Sequence, residues 1–301
     1  MIHYIKRNDL EVLKYDYCIE NSVQSRIYAF SWYLDIVADH WDVLVLNDYE
    51  AVMPIPWRKK YGIKYVYPPY WLLELGVFSR DEEIDINPFL VMLFDRFKFV
   101  ELRLNTNNVK VESDNLISRQ MQMLSLETNY DTVFKKYRKD RKKDIQKAIK
   151  NDLIEKWNDH PEKLMNLLKN NVGKRTPYIV EKDYETLLML IKKCIKKRVG
   201  EVLSIYDTQN NLVAAGFFLK NKDNITILVS STDFKNRKNG ANTYLIDRAI
   251  YKYEHTFKTF NFGGSSMQTI AKYFLSFGAE TKQYQQIKYN NLPFLLKFFK
   301  R

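Results

Sequence analysis

Three stretches of this 301-residue chain combine residue types and spacings that could do chemistry. The first is segment 233–242, Asp-Phe-Lys-Asn-Arg-Lys-Asn-Gly-Ala-Asn. A glycine at a strand-to-helix junction lets backbone N–H groups point outward, and a helix N-terminus favours an anion. Lys235, Arg237 and Lys238 add positive charge. The same residues also suit an ordinary loop with solvated charges. The second stretch is Gly263-Gly264-Ser265-Ser266. Either serine can cap the next helix. Two glycines exceed what capping needs and allow close approach by a ligand or another backbone. The third is segment 130–150, read as one basic helix. With Phe134 as origin and 100° per residue, Tyr137, Ile145, Ala148 and Ile149 form an apolar stripe around it. Arg138 and Arg141 fall on that stripe, at about 40° and −20°, and every lysine falls off it. Arginine suits a desolvated, bidentate grip on phosphate or carboxylate. The expectation is that Arg138 and Arg141 face a substrate, while the lysines meet water or a nucleic-acid backbone. The alternative is structural, with the arginines paired to nearby acids or reaching outward.

Other chemistries find little support. Two cysteines, Cys18 and Cys194, make neither a disulfide framework nor a zinc knuckle. Cys194 shares the stripe Tyr184, Leu187, Leu188, Ile191, Ile195 of a helix over 183–198 and reads as a core residue. The four histidines are scattered, so no metal is expected. The longest apolar run, residues 89–94, is far short of the roughly 20 needed to span a membrane. The N-terminus lacks the pattern of a secretory signal, so a cytoplasmic protein is expected.

Charge is informative when split. Residues 1–125 carry 14 Lys+Arg and 18 Asp+Glu, a net of −4, while residues 126–301 carry 34 and 18, a net of +16. The basic surplus suggests an anionic partner for the second part, either a nucleic acid, a phosphorylated small molecule or an anionic membrane surface. Abundant Lys, Asn, Ile, Tyr and Phe also fit a chain encoded by AT-rich DNA, but compositional drift would touch both parts. The tail 292–301 ends in apolar residues and positive charge, suited to docking on the core or touching a membrane.

The elements that must position these residues alternate between helix and strand. In the first part strands are expected at 2–6, 41–46, 49–55, 64–67, 99–104 and 119–126, with helices at 25–38 and 88–97. In the second part the basic helix leads to a strand at 152–157 and helices at 162–172 and 183–198. Strands follow at 202–206, 212–219 and 225–231. Then come a glycine-containing loop, a helix over 241–254, a strand at 259–262, a helix over 267–276 and a last strand at 283–289. Both parts run in a similar mixed order.

Three antiparallel strands, a glycine loop, a helix, a strand, a helix and a last strand resemble the GNAT acyltransferase fold. The words Asn239-Gly-Ala-Asn-Thr-Tyr-Leu, Phe260-Asn-Phe-Gly-Gly-Ser-Ser and Ile270-Ala-Lys-Tyr-Phe-Leu-Ser-Phe-Gly-Ala resemble the bacterial Fem-type (FemAB-like) subgroup, whose members carry two tandem GNAT domains. The basic run from Arg138 to Asp152, Trp32-Tyr-Leu-Asp and Ala51-Val-Met-Pro-Ile-Pro fit the same subgroup.

The resemblance implies an α/β protein of two tandem GNAT-like domains, 1–125 and 126–301, each a mixed, mostly antiparallel sheet flanked by helices. It implies transfer of an acyl group to an amine, with acyl-CoA as donor, or with a charged tRNA as donor and a cell-wall precursor as acceptor. No tightly bound cofactor and no metal are implied. The GNAT donor motif, Arg/Gln-x-x-Gly-x-Gly/Ala, maps onto Arg237, Gly240, Ala241 and Asn242, with Asn242 in place of the last small residue. Arg138, Arg141, Gly263, Gly264 and Ser265 are the expected substrate contacts. The family's tyrosine general acid, counted back from Gly278, falls on Phe274. The neighbouring Tyr273 is expected to point about 100° away, so no catalytic residue is assigned. A degenerate, non-catalytic ligand-binding protein is the third reading.

Overall fold

The computed structural model describes residues 1–108, 114–235, 237–264 and 268–294. Its elements in chain order are β1 (Ile2–Lys6), α1 (Val12–Asn21), α2 (Ser31–Val37), β2 (His40–Leu46), β3 (Ala51–Lys60), β4 (Ile63–Val66), β5 (Phe78–Ser79), α3 (Asn87–Arg96), β6 (Phe99–Arg103) and β7 (Leu116–Ser125). There follow α4 (Tyr130–Lys136), α5 (Lys139–Lys150), β8 (Ile154–Trp157), α6 (Pro161–Asn170), α7 (Glu181–Lys196), β9 (Gly200–Tyr206), β10 (Leu212–Asn221), β11 (Asn224–Thr232), α8 (Ala241–Tyr253), β12 (Thr259–Gly264), α9 (Gln268–Leu275) and β13 (Glu280–Asn290). The chain forms two compact units, Met1–Gln120 with Gln283–Arg301, and Met121–Lys282. Among the described residues no helix is long and apolar enough to cross a membrane. Most of the tail 292–301 lies outside the described residues.

In the first unit β1, β2, β3 and β4 pair antiparallel in sequence order. β4 meets β6 in parallel at Val66↔Val100, and β13 lies antiparallel to β6 from Gln286↔Arg103 to Asn290↔Phe99. β2 and β3 are covered on both faces, so consecutive residues are buried, Val43, Leu44 and Val45 on β2 and Ala51, Val52 and Met53 on β3.

The second unit repeats that order. β8, β9, β10 and β11 are antiparallel neighbours. β11 meets β12 in parallel, and β7 lies antiparallel to β12. In the second unit the sixth strand, β7, leads directly into α4. β13 follows the whole second unit yet completes the first, whereas the sequence reading kept it with residues 126–301. Strand β6 leaves an edge of unpaired backbone groups, and any strand of suitable length can satisfy it. Charge composition carries no information about which one does.

Two expected helices are each broken. Segment 25–38 is a short turn at residues 27–29 followed by α2, because Asp16 accepts hydrogen bonds from both the amide and the hydroxyl of Ser31 and fixes the helix start there. The basic helix is α4 and α5, with Tyr137 and Arg138 extended between them. The Arg138 amide donates to the Ser276 carbonyl at 2.9 Å, a bond unavailable inside a continuous helix. The Tyr137 ring is buried edge-on against Phe277. Apolar residues of α4, α5 and α8 share one core with β10, β12 and Phe277, while α6 and α7 pack on the strands from elsewhere.

Candidate active site

The site arises where β11 and β12 part. They pair only at Asn224↔Thr259, Ile225↔Phe260 and Thr226↔Asn261. β11 runs on to Thr232 alongside β10, and its register slips between Phe217↔Val229 and Phe218↔Ile227. Leu228 is therefore a bulge, which twists the strand at the point where β12 leaves it. Beyond it Ser230, Ser231 and Thr232 line a cleft of about 840 Å³ in the second unit. The start of α8, residues of α5 and α9, and the segment after α6 form its other walls.

A chain of hydrogen bonds crosses the cleft wall. Thr232 Oγ1 donates to Asn242 Oδ1 at 3.1 Å, and Asn242 Nδ2 donates to the Tyr273 hydroxyl at 2.9 Å. The Tyr273 hydroxyl lies 3.3 Å from Thr243 Oγ1. Thr243 Oγ1 gives its proton to Asp144 Oδ2 at 3.2 Å and accepts from Arg141 Nη1 at 3.0 Å. With its one proton committed, Thr243 is the acceptor in its contact with Tyr273. Burial raises the Tyr273 hydroxyl above its ordinary range, against the pull of Thr243, Arg141 and Asn242. At neutral pH it is a protonated hydroxyl whose proton points at a long, replaceable bond.

The arginines separate sharply. Arg141, with a side chain 13% exposed, contacts Asp144 at 3.1 Å and Asp140 at 3.0 Å. Its guanidinium lies 4.7 Å from the centre of the Tyr273 ring, and its buried Nε has no partner. It lines the cleft, held by two carboxylates. Arg138, 61% exposed, pairs with Asp140 and is not part of the cleft wall. The break at residues 137–138 removes the single helical wheel that placed Arg138 inward.

The expected donor loop is built differently from an open cradle. Gly240 has φ +85°, and a β-carbon there would sit 2.1 Å from the Asp144 carbonyl oxygen. The glycine lets α8 start against the backbone of α5. The Ala241 amide donates to Asn239 Oδ1 at 2.9 Å, so a side chain takes the place of an incoming anion. Asn242 contributes its amide to the Tyr273 network. The Arg237 side chain and Ser265 lie outside the described residues.

Gly263 is not among the residues that line the cleft. Gly263 has φ +75°, its amide donates to Asn261 Oδ1 at 2.7 Å, and Gly264 pairs with Met121. The two glycines serve an irregularity in the β12–β7 ladder between Asn261 and Gly264.

Tyr273 and Phe274 both line the cleft, although they are adjacent on α9. Phe274 stacks on Phe262 at 4.9 Å between ring centres. A 100° step still leaves both side chains on the half of the helix that faces the cleft. Arg175, Thr176 and Tyr178 also line it, with the Arg175 guanidinium 4.2 Å over the Phe234 ring. Their segment has no motif that would have marked it.

No family model and no curated protein sequence matches the chain. Solved structures do. FemX aligns with a TM-score of 0.69 at 10% identity, over 99% of this chain and all of FemX. L-PGS from Bacillus licheniformis aligns at 0.55 and 12% identity, over 86% of this chain and 87% of that one. A tandem GNAT protein from the clavulanic acid biosynthesis pathway aligns at 0.53 and 9% identity, over 97% of this chain and all of the other. The chain therefore has the tandem GNAT-like, Fem-type fold, with a mixed, mostly antiparallel sheet and flanking helices in each unit. At such identities the likeness speaks of fold alone.

Proposed function

We propose that the chain is an N-acyltransferase whose centre is the cleft between β11, α8 and α9. The acyl group arrives as an ester or thioester. The amine nitrogen of the acceptor attacks the carbonyl carbon, a C–N bond forms and the oxygen becomes an oxyanion. In this reading, backbone N–H groups of β11 beyond Thr226, where its pairing with β12 ends, stabilise that charge. On collapse the C–O or C–S bond breaks, Tyr273 gives its proton to the leaving atom, and the nitrogen loses its extra proton to water. Tyr273 then recovers a proton from solvent. The observation that carries this reading is the Tyr273 hydroxyl, protonated, oriented by Asn242 and set in the wall of the cleft.

The donor is either acyl-CoA or an aminoacyl-tRNA. One observation favours the second. The loop that would cradle a pyrophosphate has its Ala241 amide capped by Asn239 and its Gly240 packed against Asp144. The acceptor is then an amine on a cell-wall precursor. Calorimetric titration with acetyl-CoA beside filter binding of aminoacyl-tRNA separates the two. Binding of tRNA with no binding of acetyl-CoA supports the aminoacyl reading, and the reverse supports acyl-CoA. Binding of neither by folded protein overturns the transferase reading.

A further inference from the structure

The first unit, Met1–Gln120 with Gln283–Arg301, has 18 basic and 18 acidic residues and no net charge, yet between Glu50 and Glu74 it has no acidic residue. That gap contains Trp57-Arg-Lys-Lys-Tyr-Gly-Ile-Lys-Tyr65, the hairpin of β3 and β4. β2 accompanies β3 only as far as His40↔Trp57, and β4 meets β6 only at Val66↔Val100. Among the described residues, the ladder partners of residues 58–65 are therefore one another. A lone two-stranded ribbon is marginal in water, and cation–aromatic contacts brace this one. Lys64 Nζ lies 4.0 Å over Trp57, whose ring also stacks on His40 at 4.4 Å, and the Arg58 guanidinium lies 4.0 Å over Tyr67.

The tip is unusual. Lys60 pairs with Ile63, which leaves a two-residue turn of Tyr61 (φ +50°) and Gly62 (φ +81°). Such a turn needs two residues in the left-handed region, and asparagine is the favoured first one. A bulky aromatic there carries a conformational cost. Tyr61 is held in that state with 79% of its surface exposed. Around it Lys59, Lys60 and Lys64 are exposed and have no carboxylate partner among the described residues, while Arg58 pairs with Asp39.

We propose that this hairpin is a docking element for an anionic lipid bilayer. Tyr61 enters the headgroup region, where an apolar ring with a polar tip is favoured, and the three lysines meet lipid phosphates. The positive charge is local, since without Arg58, Lys59, Lys60 and Lys64 the unit has 14 basic and 18 acidic residues, a net of −4. A nucleic acid fits less well, because stacking along a strand needs successive open aromatic faces, and at this tip Tyr61 is the exposed ring. Trp57 is covered by His40 and Lys64, and Tyr67 by Arg58.

Co-sedimentation of the full chain with phosphatidylglycerol–phosphatidylcholine vesicles tests the proposal, with pure phosphatidylcholine vesicles alongside. Wild type is expected to bind the anionic vesicles and not the neutral ones. At about five-fold per lysine, Lys59→Gln, Lys60→Gln and Lys64→Gln together lower the partition by about a hundredfold. Tyr61→Ser weakens binding at unchanged charge. Lys142→Gln with Lys143→Gln, in the second unit, leaves it unaltered. Equal binding by wild type and the triple variant overturns the proposal, as does no preference of wild type for anionic vesicles. A single-stranded RNA that binds wild type, loses affinity for the triple variant and finds no parallel in vesicle binding assigns the hairpin to nucleic acid and overturns it too.

Discussion

The α-hydrogen side of Gly240 faces the carbonyl oxygen of Asp144 so closely that a β-carbon would stand 2.1 Å from it. This contact joins the start of α8 to α5 and sets the spacing of Asn242 and Thr243 from Arg141. Replacing Gly240 by alanine forces a non-glycine residue into positive φ and pushes it into a backbone atom. The expected loss is about 2–4 kcal/mol, read as a lowered Tm. An unchanged Tm would show that α5 and α8 can separate without cost. A loss of ligand binding in this variant reports on packing first, so it is a poor probe of the donor site.

Arg141 and Arg138 are expected to differ. Arg141→Gln leaves Asp144 and Thr243 without their cationic partner in the cleft wall. It should cost about 1–3 kcal/mol of stability and also weaken ligand binding in the cleft. Arg138→Gln, at an exposed pair, should leave the melting curve and ligand binding unchanged. Equal effects of the two substitutions would contradict the separation seen here.

The difference between these arginines shows what the sequence could and could not reveal. Periodicity gave the elements of the second unit nearly in full, because each buried stripe is a local pattern. The break at Tyr137–Arg138 depends on a hydrogen bond to Ser276, far along the chain, and no local pattern encodes it. The same holds for β13, whose partner is β6. At the site, Gly240, Asn242 and Arg141 stand out by residue type in the sequence, and all three line the cleft. Tyr273 was in plain view, but its orientation was judged from one helix rather than from the cleft that α9 borders. The glycine pair 263–264 was legible as special backbone, and it sits at a ladder irregularity between β12 and β7.

Asp247 offers a test by pH. It is buried beside the Tyr130 hydroxyl, which donates to it at 2.7 Å. Burial raises its pKa from 3.8 to about 6, against the pull of Tyr130 and of Arg248. The folded state thus binds more protons than the unfolded state between about pH 4 and 6, and this group's contribution to stability falls as pH rises through that window. Above it the deficit is constant at up to about 3 kcal/mol. Asp247→Asn should be more stable than wild type at pH 7.5, by about 2–3 kcal/mol, with the gap closing by pH 4. Urea denaturation at the two pH values checks this, and a gap independent of pH would contradict it.

The two cysteines should be silent in the native state. Burial pushes the thiol of Cys18 up to about 11 and that of Cys194 up to about 12. Only a thiolate reacts readily with a disulfide reagent. Native protein should release almost no chromophore from such a reagent, and denatured protein should release two equivalents. Rapid reaction of either cysteine in native protein would mean that α1 or α7 opens readily.

The most direct test of the account is the rate at which a charged donor, acetyl-CoA or aminoacyl-tRNA, loses its acyl group to an amine acceptor with Tyr273 replaced by phenylalanine. The substitution removes one oxygen, leaves Asn242 Nδ2 without its acceptor, and should cost only about 1 kcal/mol of stability. If Tyr273 supplies the proton to the leaving atom, kcat falls by about a hundredfold or more while donor affinity and Tm stay close to wild type. An unchanged kcat in the Tyr273→Phe enzyme would contradict the assignment and remove the cleft's hydrogen-bond chain from the chemistry.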